Sequence, residues 1–333
     1  MKRFTIFITF LMLTIIQMAA QDTSRKGTIT LSHQGKETDF AYNEMIKVMD
    51  AAEDGDTVLF STGYFQGDFM MTKRLTLIGS GADSNNGWNN CTCYDGNVVL
   101  NLTDGAELSS RLFDGIYFNK SITFNSAINN VVIRKCYWSN QLDFNAEVDY
   151  LLADRCRCKL RTDNSNLKKL IARNCYVDGT PTSLDDPTNA QFYNCNVYSS
   201  NGWCIGNDCT STYANFQGTF YNCILYNYQD YFGKPNNTDG YTILINCLYT
   251  KKEGIDDGCS LQNCYKDDSG KYIFDFTKEE LLQNGYLGTD GTVVGYYGGN
   301  NPYTLSTNGW SITSKFHLDK DNKQIQFNLN ISE

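Results

Sequence analysis

From residue 131 to residue 266 the chain repeats one short pattern of apolar and polar positions. Seven segments carry it: VVIRKCYW ending at Trp138, LLADRCRC ending at Cys158, LIARNCYV ending at Val177, AQFYNCNV ending at Val197, GTFYNCIL ending at Leu225, TILINCLY ending at Tyr249 and CSLQNCYK ending at Lys266. The shared cysteines are Cys136, Cys156, Cys175, Cys195, Cys223, Cys247 and Cys264, so successive spacings run 20, 19, 20, 28, 24 and 17. Self-similarity at this period marks a solenoid. Within a unit, the positions five and three before the Cys are mostly apolar or small, such as Val131 and Ile133 or Leu170 and Ala172. The position two after it is mostly apolar as well, as at Trp138, Val177 and Leu225. Side chains therefore point in, out, in, pass a corner, then point in, out, in. That is two short strands of period two joined by a bend. A helical repeat needs longer units with a period near 3.6, and a leucine-rich repeat needs regular leucines. The pattern predicts an all-β, right-handed parallel β-helix.

The residue before each Cys occupies the bend: Lys135, Arg155, Asn174, Asn194, Asn222, Asn246 and Asn263. Asn tolerates left-handed backbone angles and bonds its own turn. Stacked coil on coil, the five Asn are expected to form an amide ladder along the axis. The chain has 13 Cys, which in an exported protein suggests disulfides. Thiols stacked in parallel about 4.8 Å apart fit disulfide geometry poorly, so the seven repeat cysteines read as small buried apolar residues. Cys204 and Cys209 are close enough in sequence to bridge each other. Cys91 and Cys93 fall in another loop, with no obvious partners.

Both ends of a solenoid need covers. Residues 39–54 predict an amphipathic helix, with Asp39 as N-cap, Ala41, Met45, Val48 and Ala52 as its apolar face, and Gly55 as its stop. TVLF at 57–60 and LTLI at 75–78 predict the first strands, continued by VVLNL at 98–102 and LFDGIYF at 112–118. Thr277 to Glu280 reads as a capping box opening a short helix through Leu282. Residues 311–331 alternate around a turn at 319–323 and predict a terminal hairpin packed on the stack. The chain thus divides into a leader (1–20), a lead segment (21–38), a β-helix with its cap helix (39–275) and a C-terminal capping region (276–333).

The run Ala51-Ala52-Glu53-Asp54-Gly55-Asp56-Thr57-Val58, then Gly63-Tyr64, then Leu75-Thr76-Leu77-Ile78-Gly79, resembles the opening of the pectate-lyase-like β-helix superfamily. There a helix leads into a Gly-Asp-Thr-Val strand, a Gly-Tyr turn and a Leu-Ile-Gly strand. With the repeats, the resemblance covers about residues 40–266. It implies the fold more than the activity, because the superfamily holds lyases, hydrolases, esterases and non-catalytic surface proteins. Asp290-Gly291-Thr292, Gly295-Tyr296-Tyr297-Gly298-Gly299 and Pro302-Tyr303 resemble the ending of secreted bacterial β-helix proteins of uncharacterised role.

Composition narrows the function classes. Lys2 and Arg3, an apolar run from Phe4 to Ile16 and small residues at Ala19 and Ala20 read as a signal peptide, a retained N-terminal anchor being the alternative. The chain is expected to be exported to the exterior or the cell surface, with the periplasm also open. No later apolar stretch is long enough to span a membrane. The formal charge is −9, and loss of Lys2 and Arg3 with the leader makes it −11. Without a basic stripe, nucleic acid is not an expected partner. No Gly-rich phosphate loop is present. The only two histidines, His33 and His317, lie away from the repeats, which argues against imidazole chemistry.

Outward positions are where a ligand is met. The first strands give an outward row of Val132, Arg134, Leu152, Asp154, Ile171, Arg173, Gln191, Tyr193, Thr219 and Tyr221. The second strands give Tyr137, Ser139, Arg157, Lys159, Tyr176, Asp178, Asn196, Tyr198, Ile224 and Tyr226. The coil spacing suits a polymer lying along such a row. Arg157, Lys159, Tyr176, Asp178 and Tyr198 are the candidate substrate-binding residues: Tyr lies flat against sugar rings, and Arg clamps a uronate carboxylate with two bonds. An ordinary solvated sheet with cross-strand pairing is the alternative. The resemblance implies Asp clusters holding calcium and an Arg or Lys base, but no family motif maps onto these positions, so no catalytic residue is assigned. The pairs Asp185-Asp186, Asp256-Asp257 and Asp267-Asp268 read as loop residues. No cofactor is expected. Calcium takes six or more oxygens, and no loop shows a recognised arrangement. The expected function is binding, with or without degradation, of extracellular polysaccharide; the rival is a non-catalytic surface or adhesion protein.

Overall fold

The computed structural model describes the backbone of residues 26–303, apart from 84–89, 104–105, 109–111, 141, 160–165, 179–186, 200–217, 228–241, 251–258, 268 and 270, and of the terminal strands 311–319 and 324–332. The expected leader, Cys204, Cys209, Asp185-Asp186, Asp256-Asp257 and Asp268 lie outside the described residues.

The repeats wind into a parallel β-helix. Strands before the Asn corner stack in a first sheet running from Thr57–Phe60 to Cys259–Gln262. Strands after it form a 10-stranded second sheet from Gly63–Gln66 to Tyr265–Asp267. Phe69–Met71, Val98–Leu100, Ile122–Phe124 and Leu142–Phe144 add a third sheet on the early coils, a wall absent from the two-strand pattern of the repeats.

Like stacks on like. Ile133, Ala153, Ala172, Phe192, Phe220, Leu244 and Leu261 are successive register partners. Phe192 and Phe220 stack at 4.6 Å. The column is buried until Leu261, 38% exposed, where the stack ends. The long spacings between Cys195, Cys223 and Cys247 leave this register intact.

All seven corner residues adopt positive φ, from 47° at Lys135 to 56° at Asn222, the left-handed region that favours Asn. The repeat cysteines are free thiols, six buried and Cys264 half-buried. They do more than fill space. Cys195 Sγ donates to the carbonyls of Ala172 (3.5 Å) and Tyr193 (3.3 Å), while its backbone N–H donates to Cys223 Sγ (3.4 Å). Cys156, Cys175, Cys223, Cys247 and Cys264 make the same pair of carbonyl bonds. At the bend the backbone turns out of the sheet ladder, and a thiol is small enough to fit inside while meeting its buried polar groups. Cys91 and Cys93 are also buried, and Cys93 lies in the strand Thr92–Asp95 and not in a loop.

The N-terminal cap differs from the expected helix over 39–54. Asp39 lies in a strand, Lys36–Ala41, paired antiparallel with Thr28–His33, and its carboxylate accepts from Thr30 Oγ1 at 2.6 Å. Gln34 and Gly35, both at positive φ, make the turn, the geometry of a two-residue hairpin loop. Thr28–His33 also runs antiparallel to Thr57–Phe60 and closes that edge of the first sheet. Helix α1 is therefore short, Met45–Ala51 after Glu44, and it buries Met45 and Val48 as expected. Lys73 Nζ donates to the carbonyls of Met49, Asp50 and Ala52 at its C-terminus, a favourable place for a cation.

At the other end, helix α2 (Lys278–Gln283) opens with the expected capping box between Thr277 and Glu280. Ser311–Asp319 and Gln324–Ser332 pair antiparallel as a hairpin, a two-stranded sheet of their own. Among the described residues no helix is long and apolar enough to cross a membrane.

Candidate ligand pocket on the second sheet

The second-sheet register brings the candidate residues together. Tyr137, Arg157, Tyr176 and Asn196 are successive partners in one outward row, and Lys159, Asp178 and Tyr198 in the next. All five candidates, Arg157, Lys159, Tyr176, Asp178 and Tyr198, line a single pocket of about 240 Å³ together with Tyr137, Trp138, Ser139 and Cys158.

Arg157 sits between two aromatic rings. Its guanidinium carbon lies 4.9 Å from the Tyr137 ring centroid and 5.3 Å from that of Tyr176. Such contacts hold a guanidinium flat and keep the ring faces, not the N–H edges, engaged, the geometry suited to a planar acceptor. Among the described residues neither Arg157 nor Lys159 has a carboxylate within ion-pair distance, whereas Arg134 and the corner residue Arg155 at the first sheet do. There Asp154 Oδ2 takes Arg134 Nε at 3.3 Å and Arg155 Nη2 at 3.0 Å, one carboxylate shared between two guanidinium groups. Arg173 lies over Tyr193, which stacks on Tyr221 at 4.8 Å. Ile171 and Thr219, also in that row, are buried.

The outward row is not open along its length, contrary to the expectation of a continuous polymer groove. The chain leaving the last coil folds back over the second sheet and the Asn corner. Ile224 and Leu248 are buried beneath Ile273, Phe276, Leu281, Val293 and Val294. Phe274 packs edge-on to Tyr176 at 5.7 Å and Tyr198 at 6.1 Å. Farther along, Tyr296 N–H donates to Asn196 Oδ1 (3.1 Å), Thr289 N–H to Asn222 Oδ1 (2.9 Å), and Asn174 Nδ2 to the Gly298 carbonyl (2.7 Å). The expected amide ladder survives in the bond from Asn222 Nδ2 to Asn194 Oδ1 at 3.4 Å, while Asn174 turns to the returning segment. The segment ends on Tyr303, which packs with Tyr64, Tyr117 and Tyr137 around Ala82 and Cys93. The glycines of its Gly-Tyr-Tyr-Gly-Gly run permit the approach: a Cβ at Gly295 would meet Asn196 Oδ1 and Ile224, and one at Gly298 would meet the Val293 carbonyl. The apolar outward residues Ile224 and Leu248 were the sequence signal for this cover.

Burial pushes the hydroxyls of Tyr176, Tyr296 and Tyr303 up, with Arg157 pulling against it in each case. These phenols are neutral hydrogen-bonding groups at physiological pH. Asp178 is the one carboxylate among the lining residues. Among the described residues no group of three or more His, Cys, Asp or Glu is placed to hold a metal. Asp267 is buried and accepts from the Ser269 N–H and hydroxyl, a turn role. His33, outside the repeats, bonds Asp56 at 2.7 Å beside the N-terminal cap.

No family model and no curated protein matches the chain.

Proposed function

We propose that the protein is an exported β-helix, of an architecture like that of the pectate-lyase-like superfamily, that binds an acidic extracellular polysaccharide through the second-sheet pocket. The observation that carries this reading is Arg157, held between the rings of Tyr137 and Tyr176 with no carboxylate partner among the described residues. An anchored guanidinium whose donors meet no acceptor among the described residues favours a carboxylate ligand. Lys159 adds charge, and the tyrosine rings give a sugar an apolar face. Net negative charge elsewhere makes this local positive site selective, since an anionic polymer is repelled by the rest of the surface.

Binding is favoured over hydrolysis because acid and base catalysis on a glycoside uses two carboxylates, and the lining offers Asp178. The test is calorimetric titration with pectate, alginate and hyaluronan, alongside absorbance of unsaturated ends and reducing sugar. Binding that weakens at least about tenfold in Arg157→Gln supports the reading. Equal binding by Arg157→Gln and the wild type sinks it. New unsaturated ends turn the binder into a lyase.

A second reading is a surface protein that uses its wall to meet another protein or the envelope. Leu261, Tyr272 and Leu282 favour it: all are exposed apolar side chains, and all belong to the last coil or the chain leaving it.

A further inference from the structure

The two ends of the first sheet are finished differently. At the N-terminal end the outermost strand is Lys36–Ala41, which sets Lys36, Glu37 and Asp39 along an exposed edge. Charges there discourage another strand from pairing. At the C-terminal end the outermost strand is Cys259–Gln262, bonded on one side to Thr242–Ile245 and, among the described residues, to no strand on the other. It carries no charge, and Ser260, Leu261 and Gln262 are exposed. Leu261, 38% exposed, continues the inward column after Leu244, 1% exposed. The apolar core thus ends on an open edge whose outer backbone groups still have a strand to pair with.

The same chain carries a second unfinished sheet. The hairpin of Ser311–Asp319 and Gln324–Ser332 pairs with no other strand among the described residues. Its register sets Ile312 opposite Ile331, Ser314 opposite Leu329, Phe316 opposite Phe327 and Leu318 opposite Ile325, while polar residues oppose polar residues in between. Directly opposed residues share a face of an antiparallel pair, so one face is apolar and the other polar. A two-stranded hairpin is marginal alone and needs a third strand or an apolar surface.

We infer that the hairpin of one copy of this chain adds to the Cys259–Gln262 edge of a second copy, its apolar face extending the core past Leu261. Strand addition supplies main-chain hydrogen bonds for affinity. The apolar hairpin positions and the inward column share a period of two, which sets the register. A second copy is the occupant because a single chain holds both parts and leaves them unjoined, the edge exposed and the hairpin paired with itself. The charged strand at the N-terminal end directs the exchange to the C-terminal one. This association is independent of what the second-sheet pocket takes.

The experiment is light scattering of full chains across a concentration series, with amide hydrogen exchange followed at residues 259–262. The wild type is expected to grow from the mass of one chain towards that of two or more as concentration rises, and exchange at 259–262 to slow in step. Leu261→Lys sets a charge against the incoming strand, and Phe316→Asp with Phe327→Asp removes an apolar pair from the hairpin. Each variant alone is expected to stay a monomer. Mixed, the first still donates a hairpin and the second still offers an edge, so a species of two chains is expected to return. A wild type that is monomeric at every concentration overturns the inference, as do larger species that survive in both variants. Variants with native denaturation midpoints that fail to combine overturn it too. Protection of 259–262 in a wild-type monomer, lost in Phe316→Asp with Phe327→Asp, assigns the edge to the chain's own hairpin and overturns the exchange between copies.

Discussion

The side-chain amide of Asn174 donates to the carbonyl of Gly298 at 2.7 Å, across 124 residues of sequence. One residue thus performs two tasks: its backbone takes the left-handed corner at φ 50°, and its side chain clasps the returning C-terminal segment. Asn174→Gly separates them, because Gly accepts the corner but lacks the amide. The expected cost is about 1–2 kcal/mol by chemical denaturation, from a buried carbonyl that loses its donor. Gly295→Ala is expected to lift the segment from Asn196 and raise the fluorescence quenching of Tyr296 by added iodide.

Six buried thiols predict an alkaline limit. Burial pushes Cys91 up to about 11 and Cys93 up to about 12, from an ordinary 9.0; Cys136, Cys156, Cys195 and Cys223 are raised for the same reason. A raised acid is one whose neutral form the fold prefers. The stabilisation is complete below pH 9 and is lost as pH climbs from there through the folded values. Denaturation midpoints are expected to hold between pH 7 and 8.5 and to fall above pH 9. Native protein at pH 8 is expected to leave the buried thiols unreacted with an aromatic disulfide reagent, and to release them on unfolding. Rapid labelling of Cys136 or Cys175 in the native state contradicts the fold.

An acid limit comes from Asp95. The Tyr64 hydroxyl, then Asn119 Nδ2 and Lys120, hold its carboxyl below the usual range. A depressed carboxyl stabilises the fold above the unfolded value near 4, and that contribution disappears as pH falls through the folded value. Tyr64→Phe is expected to cost about 1 kcal/mol at pH 7 and almost nothing at pH 2. A cost independent of pH means that Tyr64 acts by packing alone.

Arg157→Lys asks whether charge or shape does the binding. Lysine keeps the charge but loses the planar fork and the stacking on Tyr137 and Tyr176. An affinity loss near tenfold, with an unchanged denaturation midpoint, is expected. Retention of full affinity removes the bidentate clamp from the account.

What could be read in the residues divides along physical lines. The Cys column and the Asn corner were legible because each coil repeats one steric demand: a small inward side chain, preceded by a residue that accepts positive φ. The five pocket residues followed, since strand alternation and coil register fix who stands beside whom. The N-terminal cap departs from its sequence pattern at Asp39, which lies in a strand. Its run Lys36–Ala41 opens with four polar residues and shows no alternation, so the apolar spacing of Ala41, Met45, Val48 and Ala52 dominates the pattern. The signal for a hairpin was the Gln34-Gly35 turn. The third sheet is hidden because FMM, VVL and ITF precede the first cysteine-marked unit and LDF falls outside it, between the first two. The cover over Ile224 and Leu248 comes from residues far along the chain, a relation that a local repeat does not encode.

A stack in which each coil touches only its neighbours unravels stepwise from its ends, since the free energy of each layer is nearly independent. The segment from Leu287 to Tyr303 breaks that independence. It grips the coil of Asn222 through Thr289 and Gly295, the coil of Asn174 through Gly298, and the early coils around Ala82 through Tyr303. Fraying at one bracketed layer then costs contacts at several others, and a chain that would otherwise unzip gradually acquires the cooperativity of a globular domain across its middle.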